Sequence, residues 1–125
     1  MKIRIRGNSI RYRLTRSEVE AFCTTGRFEE TTNFGDVLFT YALQAKEGIE
    51  TLDAKFHDNT ITVFLEKNAS KDWFETNQIG FSGSIQKTNG TALKLLVEKD
   101  FVCMDETVED QSDNYPNPKI SAIEP

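Results

Sequence analysis

Hydrophobic and polar residues alternate along much of this chain, and the alternation changes phase at short turn-forming pairs. The first such break is Gly7-Asn8, which separates two segments that each alternate cations with hydrophobic residues. A two-residue loop of this kind between alternating segments is typical of a tight β-hairpin. The sequence therefore predicts a hairpin over residues 2–14. Its expected cross-strand pairs are Ile5 with Ile10, Ile3 with Tyr12, Arg4 with Arg11, and Lys2 with Arg13.

Three further hairpins follow from the same reasoning. Each has an alternating segment on both sides of a turn signal: Gly35-Asp36, then Asp58-Asn59, then a loop over 88–90 in which Gly90 takes the left-handed conformation. The second hairpin joins Phe28–Phe34 to the strand bearing Val37, Phe39, Tyr41 and Leu43. The third opposes Leu52, Ala54 and Phe56 to Leu65, Val63 and Ile61, and the fourth opposes Phe81, Gly83 and Ile85 to Val97, Leu95 and Leu93.

Two segments change from the strand period to the helix period. Capping-box patterns begin at Thr15 and Ser17, and hydrophobic residues then fall at helical spacing, which predicts a helix over about 16–24 that Gly26 ends. The pattern of residues 68–75 predicts that this segment forms one or two further helical turns, capped by Ser70.

These elements predict a β-dominated α+β fold in which antiparallel hairpins form a curved sheet or partial barrel with one or two short helices. The length of 125 residues suits a single domain over 1–125. We expect the last residues, about 119–125, to fray.

Charge is distributed unevenly in this chain of net charge −5. Residues 1–16 carry six cations and no acid, whereas residues 98–113 carry seven acids and one lysine. A net acidic protein is a poor general nucleic-acid binder, because phosphate binding depends on a broadly basic surface. Only a local basic patch remains as a candidate binding surface.

The first hairpin supplies that patch. Its predicted register places like charges opposite each other, an arrangement that is unfavourable unless negative charge lies nearby. The residues concerned are Lys2, Arg4, Arg6, Arg11 and Arg13. In one interpretation the acidic segment after Phe101 covers this hairpin, with Asp105, Glu109 or Asp113 pairing with the arginines. In the other, the patch binds an anionic small molecule or an acidic protein surface through arginine forks.

Two other functional classes stay open. A divalent-metal-dependent hydrolase would use the acidic cluster 105–113, with Asp105, Glu109, Asp110 and Asp113 as candidate ligands, although their spacing matches no known metal loop. A purely structural or protein-interaction domain needs no site. No cofactor motif is visible and no catalytic residue is assigned, so an enzyme is the less favoured class, and the oligomeric state stays open.

The histidine and the cysteines give no catalytic pattern. His57 precedes a turn and is expected to be an exposed turn residue, while Cys23 lies with Val19 and Phe22 on the buried helix face. Cys23 and Cys103 are expected to be reduced thiols of a cytoplasmic protein, and a single disulfide between them is the alternative. Every apolar run is too short for a membrane span.

Two segments that together extend over most of the chain carry a family resemblance. They read MKIRIRGNSIRYRLTRSEVE and LLVEKDFVCMDETVEDQSDNYPNP. Through them the chain resembles a family of small uncharacterised bacterial proteins, of the domain-of-unknown-function kind. The resemblance implies a bacterial cytosolic origin and assigns no activity, substrate or cofactor, so it transfers no functional residue.

Overall fold

A computed structural model describes residues 1–86, 89–101 and 112–116 of the chain. These residues form eight strands and two helices, in the order β1 (Lys2–Arg6), β2 (Ser9–Leu14), α1 (Arg16–Thr25), β3 (Arg27–Asn33), β4 (Leu38–Lys46), β5 (Leu52–His57), β6 (Thr60–Glu66), α2 (Lys67–Asp72), β7 (Gly80–Gln86) and β8 (Ala92–Lys99). A single 3₁₀ turn, Trp73–Glu75, follows α2.

The strands pair as four hairpins, and the predicted registers are confirmed. Ile5 faces Ile10 in the first hairpin, and the pairs predicted for the third and fourth hairpins are also those observed. The turns have the required backbone. Gly7 has φ of 53°, while Asp58 and Asn59 have φ of 51° and 55°, the two positive values of a type I′ turn.

The hairpins are nested into two four-stranded sheets. The outer hairpins form one sheet in the order β1-β2-β8-β7, and the inner hairpins form the other in the order β3-β4-β6-β5. The fold is thus α+β and dominated by β structure, as predicted. Within the described residues neither sheet closes into a barrel, and the hairpins join through parallel pairs, β2 with β8 and β4 with β6, that the sequence did not indicate.

The core lies between the two sheets and is closed at one end by the helices. Tyr12 is fully buried, and its hydroxyl donates to the Ile61 carbonyl oxygen of the other sheet at 3.2 Å. Val19 and Phe22 bury one face of α1, and Trp73 lies beneath it with 1% exposure. Hydrophobic residues occupy most inward positions of the central strands, and the outward positions are more polar, although Ala42 and Phe64 on the outer side of the second sheet are also buried.

The helix ends agree with the sequence in one case and differ in the other. Gly26 ends α1 with φ of 82°, and its N–H donates to the Phe22 carbonyl oxygen at 2.7 Å. The prediction that Ser70 caps α2 is wrong, because the Glu66 side chain accepts from the first N–H groups of that helix. Ser70 is instead buried, and its hydroxyl donates to the Leu65 and Glu66 carbonyl oxygens.

A candidate anion-binding face

The register of β1 and β2 brings the five basic residues of the first hairpin onto the outer face of one sheet. Directly paired residues of an antiparallel ladder share a face, and Lys2 pairs with Arg13 while Arg4 pairs with Arg11. Arg6 pairs with Ser9, which keeps it on the same face. The intervening residues, such as Ile3 and Tyr12, point to the opposite side and pack in the core.

Strand β8 extends this surface with one more cation and with an acid. In the parallel register Lys94 pairs with Ser9 and Glu98 pairs with Arg13, so both lie on the outer face. We call the surface formed by Lys2, Arg4, Arg6, Arg11, Arg13 and Lys94 the cationic face. Lys94 was missed by sequence reasoning, because the alternation within the fourth hairpin gives no information about which strand lies beside β8.

One end of the cationic face is neutralised by carboxylates. Glu98 accepts from Arg13 Nε at 2.9 Å and lies 3.8 Å from Arg11 Nε, and the side chain of Glu98 is 20% exposed. Lys2 Nζ lies 3.1 Å from a carboxylate oxygen of Asp100, which is itself buried. Negative charge thus comes from β8 and the residue after it.

The other end, toward the hairpin turn, is different. Among the residues that the structure describes, no carboxylate lies within ion-pair distance of Arg4 or Arg6. Arg11 Nε is buried and lacks a hydrogen-bond partner in the same set of residues. A cavity of about 290 Å³ opens here, lined by Arg4, Arg6, Ser9, Ile10, Arg11, Lys94, Leu95 and Leu96. Three arginines therefore line a space large enough for a small ligand, and among the described residues only Arg11 of the three has a carboxylate within ion-pair distance.

Asp113 does not lie on the cationic face. It binds the start of α1, where its carboxylate accepts from the Ser17 N–H at 3.2 Å and from the Ser17 hydroxyl at 2.5 Å. These hydrogen bonds lower the pKa of Asp113 below its ordinary value. The structure thus gives Asp113 a role at a helix end, where unpaired N–H groups and the helix dipole favour a carboxylate.

The remaining acidic candidates, Asp105, Glu109 and Asp110, lie outside the described residues, as does Cys103. Their proposed pairing with the arginines and their proposed metal ligation stay predictions. In residues 1–86, 89–101 and 112–116 no group of three or more His, Cys, Asp or Glu side chains is placed to hold a metal ion. The predicted fraying of residues 119–125 also falls outside these ranges.

His57 and Cys23 are placed as expected. His57 is exposed at the end of β5, next to the turn, and its Nε2 lies 3.1 Å from a carboxylate oxygen of Asp58. Cys23 is a free thiol that packs against the core, and burial raises its pKa. Neither geometry resembles an activated nucleophile and its base.

The fold and the cationic face together define a two-sheet α+β protein with a strongly basic outer surface and a partly unneutralised cavity. In the described part of the chain no helix has the length and apolar character to cross a bilayer. The chain belongs to the Family of unknown function (DUF7009), whose family model matches residues 1–119. No curated protein and no solved structure matches the chain.

Proposed function

We propose that the protein is a binding module that takes a small phosphorylated anion at the cationic face. The observation that carries this proposal is the cavity of about 290 Å³ between Arg4, Arg6, Arg11 and Lys94. Guanidinium groups match phosphate oxygens geometrically, because two parallel N–H donors meet two acceptors. Three such groups and an ammonium in one place favour a ligand with several anionic oxygens.

The charge balance at the cavity favours a ligand with at least two negative charges. Four cations line the cavity, and Glu98, which lies within ion-pair distance of one of them, Arg11, also accepts a hydrogen bond from Arg13. A monocarboxylate would leave most of this positive charge uncompensated. The net charge of −5 for the whole chain argues against a long nucleic-acid backbone, which would meet acidic surface beyond this patch.

The other functional classes that the sequence leaves open have less structural support. The metal-dependent hydrolase depends on Asp105, Glu109 and Asp110, which the structure does not describe, and on Asp113, which binds Ser17. No feature of the described residues specifically favours a structural or protein-interaction role. As part of the same proposal we place the protein in a bacterial cytoplasm, which its low cysteine content supports.

Titration calorimetry with inorganic pyrophosphate, inorganic phosphate and acetate tests the proposal. We expect pyrophosphate to bind more tightly than phosphate and acetate not to bind, with affinity that falls as sodium chloride is raised. The double variant Arg4→Gln/Arg6→Gln should weaken pyrophosphate binding by about tenfold or more, since hydrogen bonds to charged groups contribute roughly 1.5–3 kcal/mol when they are made.

The matched control is Lys71→Gln, which removes one exposed positive charge from α2, away from the cationic face. It should bind pyrophosphate as the unmodified chain does. Absence of pyrophosphate binding at about 10 mM, or equal affinity in the double variant and the control, would refute the assignment of this face.

A further inference from the structure

A second basic cavity lies apart from the cationic face, on the inner side of β8. Lys99 pairs with Leu14 and shares its inward direction, so its side chain enters the interior, where the residue is 5% exposed. Its Nζ donates to the Thr76 carbonyl oxygen at 2.8 Å and lies 4.9 Å from the centre of the Tyr115 ring. Burial lowers the pKa of the Lys99 amine.

The Lys99 side chain borders a cavity of about 330 Å³. Three of its eight described lining residues are aromatic and five are polar or charged, Thr76 and Asn77 among them, so the cavity offers both a surface for a ring and groups that can orient a polar ligand. The lining includes Arg16, Phe74, Glu75, Lys99, Phe101 and Tyr115. The Tyr115 ring is close to both cations: the Arg16 guanidinium lies 5.8 Å from the ring centre, and Lys99 Nζ lies 4.9 Å from it.

The cations at this cavity have no carboxylate partner among the described residues, and one buried hydroxyl there has no hydrogen-bond partner. In the described ranges, no carboxylate lies within ion-pair distance of Lys99 or Arg16. The Tyr115 hydroxyl is buried and has no hydrogen-bond partner in those ranges. A buried hydroxyl without a partner costs free energy, and the buried Lys99 ammonium is compensated here by a neutral carbonyl oxygen rather than by a negative charge.

The described lining carries two cations, Arg16 and Lys99, and one carboxylate, Glu75. The net charge of the described lining is therefore one positive charge, which a single carboxylate group would neutralise. The Tyr115 hydroxyl could donate to the same ligand, and the rings of Phe74 and Phe101 offer an apolar surface for a planar body.

We infer that the cavity between Lys99, Arg16 and Tyr115 binds a small aromatic monocarboxylate. The ligand carboxylate lies toward Lys99 and Arg16, and its ring packs against the aromatic walls. This site is independent of the proposed phosphate-binding face, because none of its lining residues is shared with the cavity at Arg4 and Arg6.

Benzoate is the probe, and benzyl alcohol is its uncharged counterpart. In amide NMR titrations of the full chain, benzoate should shift the signals of residues 74–77, 99 and 115, with a dissociation constant on the order of 1 mM for so small a molecule. Benzyl alcohol should shift them far less. Equal response to both compounds would show that the cavity does not recognise the carboxylate and would overturn the inference, as would no response to benzoate.

Variants locate the contact. Arg16→Gln, at an exposed helix residue, should weaken benzoate binding by about tenfold, whereas Lys71→Gln should leave it unchanged. Lys99→Met replaces the buried amine with an apolar chain of similar length and should abolish the benzoate response while the folded spectrum is kept. If Lys99→Met fails to fold, the Arg16→Gln result decides, and unchanged affinity in that variant overturns the inference.

The two proposals fail separately. Arg4→Gln/Arg6→Gln should lose pyrophosphate binding and keep the benzoate response, and Arg16→Gln should do the reverse. If both ligands respond to the same variant, the two-site description is wrong.

Discussion

Replacing Glu98 by glutamine should lower the stability of the fold and raise its affinity for pyrophosphate. Glu98 is the carboxylate that accepts from Arg13 Nε at 2.9 Å and lies 3.8 Å from Arg11 Nε. Glutamine has nearly the same shape but removes the negative charge. Because the paired strands hold these cations on one face, removing the charge leaves their mutual repulsion uncompensated.

The size of the stability loss follows from the exposure of the pair. The Arg13 side chain is 41% exposed and that of Glu98 is 20% exposed, so solvent screens part of the interaction. A fully exposed ion pair contributes about 0–1 kcal/mol and a charge-assisted hydrogen bond about 1.5–3 kcal/mol, so we expect this partly exposed pair to contribute about 1 kcal/mol. For a chain of this length, that loss lowers the melting temperature by roughly 3–5 °C.

The gain in binding has the same electrostatic origin. A bound anion near Arg4 and Arg11 would be repelled by Glu98, and removing that charge at a separation of several ångströms is worth about 0.5–1 kcal/mol at a surface site. Pyrophosphate affinity should therefore rise about threefold. Stability and binding change in opposite directions, which a general disturbance of the fold would not produce.

Thermal and denaturant unfolding measure the first effect, and titration calorimetry measures the second. A double-mutant cycle with Arg13→Gln should give a coupling energy of about 1 kcal/mol. Glu29→Gln is the matched control, since its carboxylate belongs to an exposed pair with Arg27 on the other sheet. Unchanged stability of Glu98→Gln, or a fall in its pyrophosphate affinity, would refute this account of the cationic face.

Three further predictions concern the framework. Gly80→Ala should destabilise the fold by about 1–3 kcal/mol in denaturant titrations, because a Cβ there would lie 2.5 Å from the Val97 carbonyl oxygen, whereas Gly83→Ala meets only ordinary contacts. Burial raises the pKa of Tyr12, so the contribution of its neutral hydroxyl to the free energy of unfolding is complete below pH 10.0, the ordinary tyrosine value, and is lost as the pH rises above it. Tyr12→Phe should therefore reduce the decrease in stability at alkaline pH, as measured by unfolding at each pH. The lowered pKa of Asp113 means that its contribution is complete above the ordinary value of 3.8 and is lost as pH falls below it, so Asp113→Asn should reduce the dependence of stability on pH only in that acidic range.

Local patterns predicted the hairpins because strand alternation has a period of two and a short turn fixes the register. Arg4 opposite Arg11 was therefore predictable from the position of Gly7 alone. Ser70 was assigned wrongly for a related reason. A serine in a short helical segment fits a cap by pattern, but Glu66, at the end of the preceding strand, reaches the free N–H groups first.

Contacts between distant segments were not predictable in this way. Lys94 and Glu98 join the cationic face only because β8 lies parallel to β2, a pairing that no turn encodes. The second cavity likewise forms only where α1, β8 and Tyr115 lie side by side, and these parts of the fold are far apart in the chain.

The sequence by itself determined the four hairpins, the registers of the first, third and fourth, and the gathering of the basic residues of the first hairpin, since each depends on neighbours within a few residues along the chain. The tertiary structure alone decided which hairpins share a sheet and which acids face the arginines. The physical reason is that these choices maximise burial between whole sheets, a sum over long-range contacts that no local pattern contains.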